Sequence, residues 1–255
     1  MNAIQELFAK KRKNILNIYF TAGYPKLDST QPLLESLQKA AVDLIEIGMP
    51  YSDPLADGPT IQKSSQKSLE HGMTISRLFA QLKEIKGTIN VPIILMGYYN
   101  QFLGFGQERL LQACVDVGVS GLILPDLPPE IYQAQYQTLF EAYGLLPIFL
   151  ATPQTPDQRI RMLSEISQGF IYLVSSTSTT GTREIFGTEQ ITFFERVKVL
   201  DLKIPKLIGF GISNKNTFKL ACRYADGAII GSAFINALDE NRLGKSVEDF
   251  IISIR

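Results

Sequence analysis

Short, almost wholly apolar runs alternate along this chain with longer stretches whose apolar residues recur every three or four positions. The runs are Ile15–Phe20, Leu44–Ile47, Ile93–Met96, Gly121–Leu124, Leu146–Leu150, Phe170–Val174, Lys206–Gly209 and Ala228–Ile230. Each is of strand length, and none alternates apolar with polar. That pattern belongs to parallel strands covered on both faces. Between them, Asp28–Ala41 repeats Leu33, Leu34, Leu37, Ala40 and Ala41 at helical spacing, as do Leu110, Leu111, Cys114 and Val117, and Ile160, Leu163 and Ile166. Ala3–Lys11 reads as an extra helix before the first strand. Eight strand-then-helix units predict a (β/α)8 TIM barrel, one domain over residues 1–255. An open doubly wound sheet would usually carry a Gly-rich turn after its first strand. Here that turn reads Thr21-Ala22-Gly23-Tyr24-Pro25.

Two connections stand out: Met49–Pro59 after the second strand and Ser175–Thr188 after the sixth are long, polar and rich in Gly, Pro or Thr. In a barrel both leave the carboxyl ends of strands, where active sites are built, and loops of this length there are candidate lids.

Composition narrows the class. The 255 residues are 45% hydrophobic and 20% charged, with 25 basic and 25 acidic side chains. The balanced charge disfavours nucleic acid or an anionic membrane as main partner. Lys10–Lys13 is followed by no long apolar run, so no signal peptide is expected, and no stretch reaches the roughly 18 apolar residues of a membrane span. Cys114 and Cys222 read as reduced thiols in helices. A cytoplasmic protein is expected.

Glu46 is the least ordinary residue. It interrupts the run Leu44-Ile45-Glu46-Ile47-Gly48. A carboxylate in a doubly covered strand loses its hydration, which costs several kcal/mol unless it is paired or protonated. Its pKa should rise, which suits a general acid or base; a structural pairing with a cation is the alternative. The following loop carries Asp53 and Asp57 between prolines that stiffen it. Asp57-Gly58 could be a simple turn, but a rigid acidic loop beside a buried Glu makes a two-acid site. Asp53 reads as structural or partner-facing. Gly209-Phe210-Gly211 ends the seventh strand and Gly231-Ser232 the eighth. Barrel enzymes often hold phosphate at these two positions, where glycines let the backbone approach the anion. Thr180-Gly181 could close over the same group.

Absences restrict the chemistry further. The single histidine, His71 in Glu70-His71-Gly72, reads as part of a helix C-terminus. It offers no zinc site, and no metal is expected. Lys206 opens its strand and so faces the wrong end for a Schiff-base aldolase. A phosphorylated substrate, two carboxylates and no iminium sink allow carbon–carbon cleavage only if the substrate carries its own electron sink, as an indole ring does. Isomerisation of a phosphosugar fits the same inventory.

The 19-residue run Leu44-Ile45-Glu46-Ile47-Gly48-Met49-Pro50-Tyr51-Ser52-Asp53-Pro54-Leu55-Ala56-Asp57-Gly58-Pro59-Thr60-Ile61-Gln62 resembles the signature of the tryptophan synthase α subunit family. The likeness continues through Gly209–Ser213 and Gly231–Ser232, and length and strand order agree along the chain. The resemblance implies retro-aldol cleavage of indole-3-glycerol phosphate to indole and glyceraldehyde 3-phosphate, within tryptophan biosynthesis. Glu46 falls at the family's proton-transfer glutamate and Asp57 at the aspartate that meets the indole nitrogen. Tyr172 matches a tyrosine beside that pair. Tyr19, Met96 and Tyr98 would line the indole pocket, although phenylalanine is often found at the position of Tyr19. Gly181, Gly211, Gly231 and Ser232 match the phosphate cradle, with Thr180 retained beside Gly181. The resemblance also implies a β subunit in an αββα heterotetramer; pyridoxal phosphate would belong to β, and this chain would hold no cofactor. The sixth loop departs from the pattern: many relatives have Arg at the position of Ser176 and Val at that of Thr179, which bears on how it closes and couples to β. Two alternatives share the barrel. Among phosphosugar-binding barrels, an indole-glycerol phosphate synthase would be expected to use a strand lysine and a phosphosugar epimerase several histidines and a metal, whereas a phosphosugar isomerase fits the same residues. A catalytically silent barrel that only activates a β-type partner would not need Glu46 and Asp57.

Overall fold

The computed structural model describes residues 1–175 and 186–255. Helix α1 spans Ala3–Lys10 and strand β1 Ile15–Thr21. They are followed by α2 (Thr30–Lys39), β2 (Leu44–Gly48), α3 (Pro59–Glu70), α4 (Ile75–Glu84), β3 (Ile93–Met96), α5 (Tyr99–Phe105), α6 (Gln107–Val117) and β4 (Val119–Ile123). The short α7 (Pro129–Ile131) runs through a π-helical turn, Tyr132–Tyr136, into α8 (Gln137–Tyr143). Then come β5 (Leu146–Ala151), α9 (Asp157–Ile166), β6 (Ile171–Val174), α10 (Thr188–Val199), β7 (Lys206–Gly209), α11 (Lys215–Tyr224), β8 (Gly227–Ile230), α12 (Ser232–Ala237) and α13 (Leu243–Ile254).

The strands pair in sequence order, all parallel, and β1 closes on β8, with Ile18 opposite Ile230. This is the predicted (β/α)8 barrel. Its apolar side chains divide by the two-residue period of a strand. Ile18, Phe20, Ile45, Ile47, Ile208, Ala228 and Ile230 face outward into the layer shared with the helices. Ile15, Tyr19, Leu44, Ile94, Ile148, Tyr172, Leu207 and Ile229 fill the interior. Both faces are dry, so the strands show no polar alternation.

Helix α1 caps the amino-terminal end of the barrel. Its first turn is fixed by Asn2, which accepts from the Ile4 N–H at 3.0 Å and donates to the carbonyls of Ser120 at 2.8 Å and Gly144 at 2.9 Å. Ile4 and Phe8 are buried against the strand starts, Phe8 lying 6.1 Å from Phe170. With that end sealed, the carboxyl end holding Gly48, Met96, Val174, Gly209 and Ile230 is left for function. Lys206 lies at the sealed end, its ammonium bound to the carbonyls of Leu202 and Ile204. His71 caps α3 and is followed by Gly72 at φ +83°, a left-handed C-terminal stop. Cys114 and Cys222 are free thiols. No helix among the described residues is long and apolar enough to cross a membrane.

Candidate active site

Tyr19 and Glu46 are paired across β1 and β2, and both point into the barrel. Glu46 is fully buried. Its Oε2 accepts a hydrogen bond from Asn17 Nδ2 at 3.1 Å, whereas Oε1 has no partner among the described residues. No ion pair to Glu46 exists among those residues either, so the alternative of a cation-paired glutamate finds no support among the described residues. Burial pushes its pKa from 4.5 up to about 8; the Asn17 hydrogen bond pulls it down, and the negative charge of Asp57 adds to the rise. At neutral pH the carboxyl group is therefore mostly protonated and holds a proton it can give or exchange.

Asp57 reaches the same space from the loop between β2 and α3. It is 8% exposed, and burial raises its pKa from 3.8 to about 6, opposed by a hydrogen bond from Tyr98. Tyr98 Oη donates to Asp57 Oδ2 at 2.9 Å and accepts from the Ala56 N–H at 3.0 Å, so one phenol holds both the acid and its loop. Gln101 fastens the base of that loop: its amide donates to the Pro50 carbonyl at 2.9 Å and its Oε1 accepts from the Tyr98 N–H at 3.0 Å. Gln62 donates to the Asp57 carbonyl at 2.9 Å. Tyr51 stacks on Tyr98 with ring centroids 5.1 Å apart. These contacts hold Asp57 in place without help from a ligand. Asp53 lies outside this network, on an exposed tip beside Leu55, which is 93% exposed.

Tyr19 and Tyr172 complete the inner wall. Both phenols are buried, and desolvation together with the neighbouring Glu46 and Asp57 carboxylates raises their pKa values, keeping them neutral. Their rings fit because of two glycines. A Cβ on Gly48 would overlap the Tyr19 hydroxyl, and one on Gly209 would overlap that of Tyr172. Tyr172 also meets Phe210 edge-on at 6.4 Å. Met96, the last residue of β3, packs half-buried against this interior cluster.

The expected phosphate positions lie on the same rim. Gly211 follows β7 at φ +72°, a conformation that favours glycine. Gly231 precedes Ser232, the first residue of α12. A Cβ placed on Gly231 would lie 3.3 Å from Tyr19 Cδ1, so this backbone borders the aromatic wall directly. Thr180 and Gly181, with Ser176 and Thr179, fall outside the described residues. Among the described residues no group of three or more His, Cys, Asp or Glu could hold a metal ion.

The residues singled out in the sequence thus fall into one region: Glu46, Asp57, Tyr19, Tyr98 and Tyr172 are linked by contacts or by their electrostatic influence on one another. Sequence reasoning missed Asn17, Gln101 and the roles of Gly48 and Gly209. Asn17 had a signal of the same kind as Glu46, a polar residue inside an apolar run. Gln101 had at most a local one, its place three residues after the helix N-cap Tyr98, because its bond to the Pro50 carbonyl spans 51 positions.

The tryptophan synthase alpha chain family model matches residues 4–251. Tryptophan synthase alpha chains similar to this chain include that of Flavobacterium johnsoniae, 52% identical over 255 residues and covering 100% of both chains. That of Karelsulcia muelleri is 55% identical over 251 residues, covering 98% of each. Among solved structures, a mutant tryptophan synthase alpha-subunit from Pyrococcus furiosus superposes with a TM-score of 0.87 at 30% identity, over 96% of this chain and 98% of that one. Tryptophan synthase from M. tuberculosis in its aminoacrylate-bound form gives 0.85 at 28% identity, over 100% of both.

Proposed function

The chain belongs to the tryptophan synthase alpha chain family, and from that premise we propose how its residues divide the work. The reaction is cleavage of indole-3-glycerol phosphate into indole and glyceraldehyde 3-phosphate, a carbon–carbon lyase step of tryptophan biosynthesis.

The substrate enters the carboxyl end of the barrel. Its phosphate rests on the backbone at Gly211 and at Gly231–Ser232, with Thr180 and Gly181, which lie outside the described residues, assigned to the same group, and its indole ring lies among Tyr19, Met96, Tyr98 and Tyr172. Glu46 moves the protons. Protonation of indole C3 makes an indoleninium ion. Removal of the glycerol hydroxyl proton then breaks the carbon–carbon bond; its electron pair returns to the ring, and glyceraldehyde 3-phosphate leaves as the aldehyde. Asp57 faces the ring nitrogen and stabilises the positive charge that grows there. The observation that carries this reading is a carboxyl group, Glu46, held fully buried with Oε1 unpartnered among the described residues. An anion there would be expensive, so the group is suited to proton transfer rather than to structure.

The same proposal includes a β subunit in an αββα assembly, pyridoxal phosphate on β and none on this chain, a cytoplasmic setting, and residues 1–255 acting as one barrel domain. The exposed tip at Asp53 and Leu55 would face that partner.

Two measurements test the division of labour. Purified chain, with and without a β subunit, should release indole from indole-3-glycerol phosphate; failure in both states rejects it. In crystals soaked with glycerol phosphate the anion should bind the N–H groups around Gly211 and Gly231–Ser232. An anion bound elsewhere would refute the phosphate assignment while leaving the two acids untouched.

A further inference from the structure

Asn17 is a second polar residue in an interior that is otherwise apolar at its level. On β1 it lies between Ile15 and Tyr19, which share its face, and its register partners are Leu44 on β2 and Ile229 on β8. It is fully buried, and its one side-chain hydrogen bond among the described residues goes to Glu46 Oε2 at 3.1 Å. Its Oδ1 has no partner among those residues. A buried amide left partly unsatisfied is destabilising, and an aliphatic side chain of the same shape would pack there without that penalty. The amide is explained by the one group it touches.

We propose that Asn17 is a positioning residue for Glu46: it ties down Oε2, leaves Oε1 as the oxygen that exchanges protons with the substrate, and offers a hydrogen bond to the carboxyl group in both of its charge states. This rests on the reading of Glu46 as the proton-transfer residue. When Glu46 is ionised, Nδ2–H donates to the anion, as in the structure. When it is protonated on Oε2, a half-turn of the amide about its Cβ–Cγ bond presents Oδ1, free of other partners among the described residues, as the acceptor.

Among the described residues, the ionisable groups facing Glu46 are Tyr19 from β1, Asp57 from the β2–α3 loop and Tyr172 from β6; β3 and β8 contribute Ile94 and Ile229. The phenols are neutral and Asp57 opposes ionisation. Among the described residues, Asn17 is the group that favours the anion. Without it Glu46 would remain protonated to higher pH and act more rarely as a base.

The test uses Asn17→Leu, which matches the branched shape of asparagine but has no donor or acceptor. The expected result is a kcat for indole release about tenfold lower, a KM within about twofold of wild type, and a rising limb of the kcat–pH profile displaced by about one pH unit to higher pH. A rising limb superimposable on wild type, or a changed KM with kcat intact, would overturn the proposal. Should Asn17→Leu fail to fold, the wild-type chain decides. The side-chain amide resonances of labelled Asn17 should titrate with Glu46 and become pH-independent in Glu46→Gln. Resonances that do not move with pH, or that still titrate in Glu46→Gln, would also overturn it. An active Glu46→Gln would instead reject the underlying reading of Glu46, so the two failures are distinct.

Discussion

Replacing Glu46 by Gln is expected to lower indole release by about 1000-fold or more, equivalent to about 4 kcal/mol of transition-state stabilisation. Glutamine keeps the volume and can still accept from Asn17, but it can neither take the hydroxyl proton nor return one. The fold should survive and gain stability relative to the wild type as pH rises. The sign follows from the raised pKa. Folding holds the Glu46 proton up to about pH 8, whereas an ordinary glutamate loses it near 4.5. The wild type therefore loses stability as pH climbs through that window, by on the order of 5 kcal/mol in full. Glu46→Gln has no such titration. Its melting temperature should pull ahead of the wild type progressively between those two pH values and by a constant margin above them. Thermal denaturation at several pH values checks this alongside the activity assay. A variant of unchanged activity would remove Glu46 from the mechanism, and melting curves that keep a fixed offset at every pH would remove its raised pKa.

Asp57→Asn should give the second-largest loss, about 100- to 1000-fold in kcat, the size seen when one preorganised electrostatic partner of a transition state is removed. Its neutral amide cannot balance positive charge at the indole nitrogen. The loop should stay in place, since Tyr98 can still donate to the remaining oxygen and Gln62 still holds the residue-57 carbonyl. The loss should therefore appear in kcat rather than in stability. Single-turnover indole release measures it directly. An equal fall in melting temperature and activity would point instead to a structural role for Asp57 in holding the loop.

Much of this was legible in the chain before folding, and for definable reasons. Closing eight parallel strands inside a ring of helices dries both faces of each strand, so the strands announce themselves as apolar runs. Their ends are less visible. Thr21 and Gly48 extend β1 and β2 because they pair with each other, not because they are apolar. Strand β4 begins at Val119, before the expected Gly121, since Ser120 is buried and its carbonyl is bound by Asn2 from the capping helix. Helix α2 ends at Lys39 although Ala40 and Ala41 continue the periodicity, because Ala41 turns left-handed at φ +59°. The π-helical turn at Tyr132–Tyr136 left no periodic trace.

The two acids were legible because each breaks a local rule: a carboxylate inside an apolar run, and an aspartate in a proline-stiffened loop. What tunes them was not. The Tyr98–Asp57 hydrogen bond joins residues 41 positions apart, and the Asn17–Glu46 bond joins adjacent strands. Gly48 and Gly209 read as ordinary strand ends until the tyrosine rings lying over them are seen. Local pattern identifies residues that carry an unusual burden; only the closed barrel shows which neighbours make that burden useful.

The most direct measurement is a difference infrared titration of the wild type against Glu46→Gln, following the carbonyl stretch of the protonated Glu46 carboxyl group. The expected result is a band, absent from the variant, that persists through neutral pH and fades near pH 8. A band that vanishes near the ordinary glutamate value of 4.5 would mean that Glu46 is a solvated or paired anion, and it would contradict the proposed proton transfer at its source.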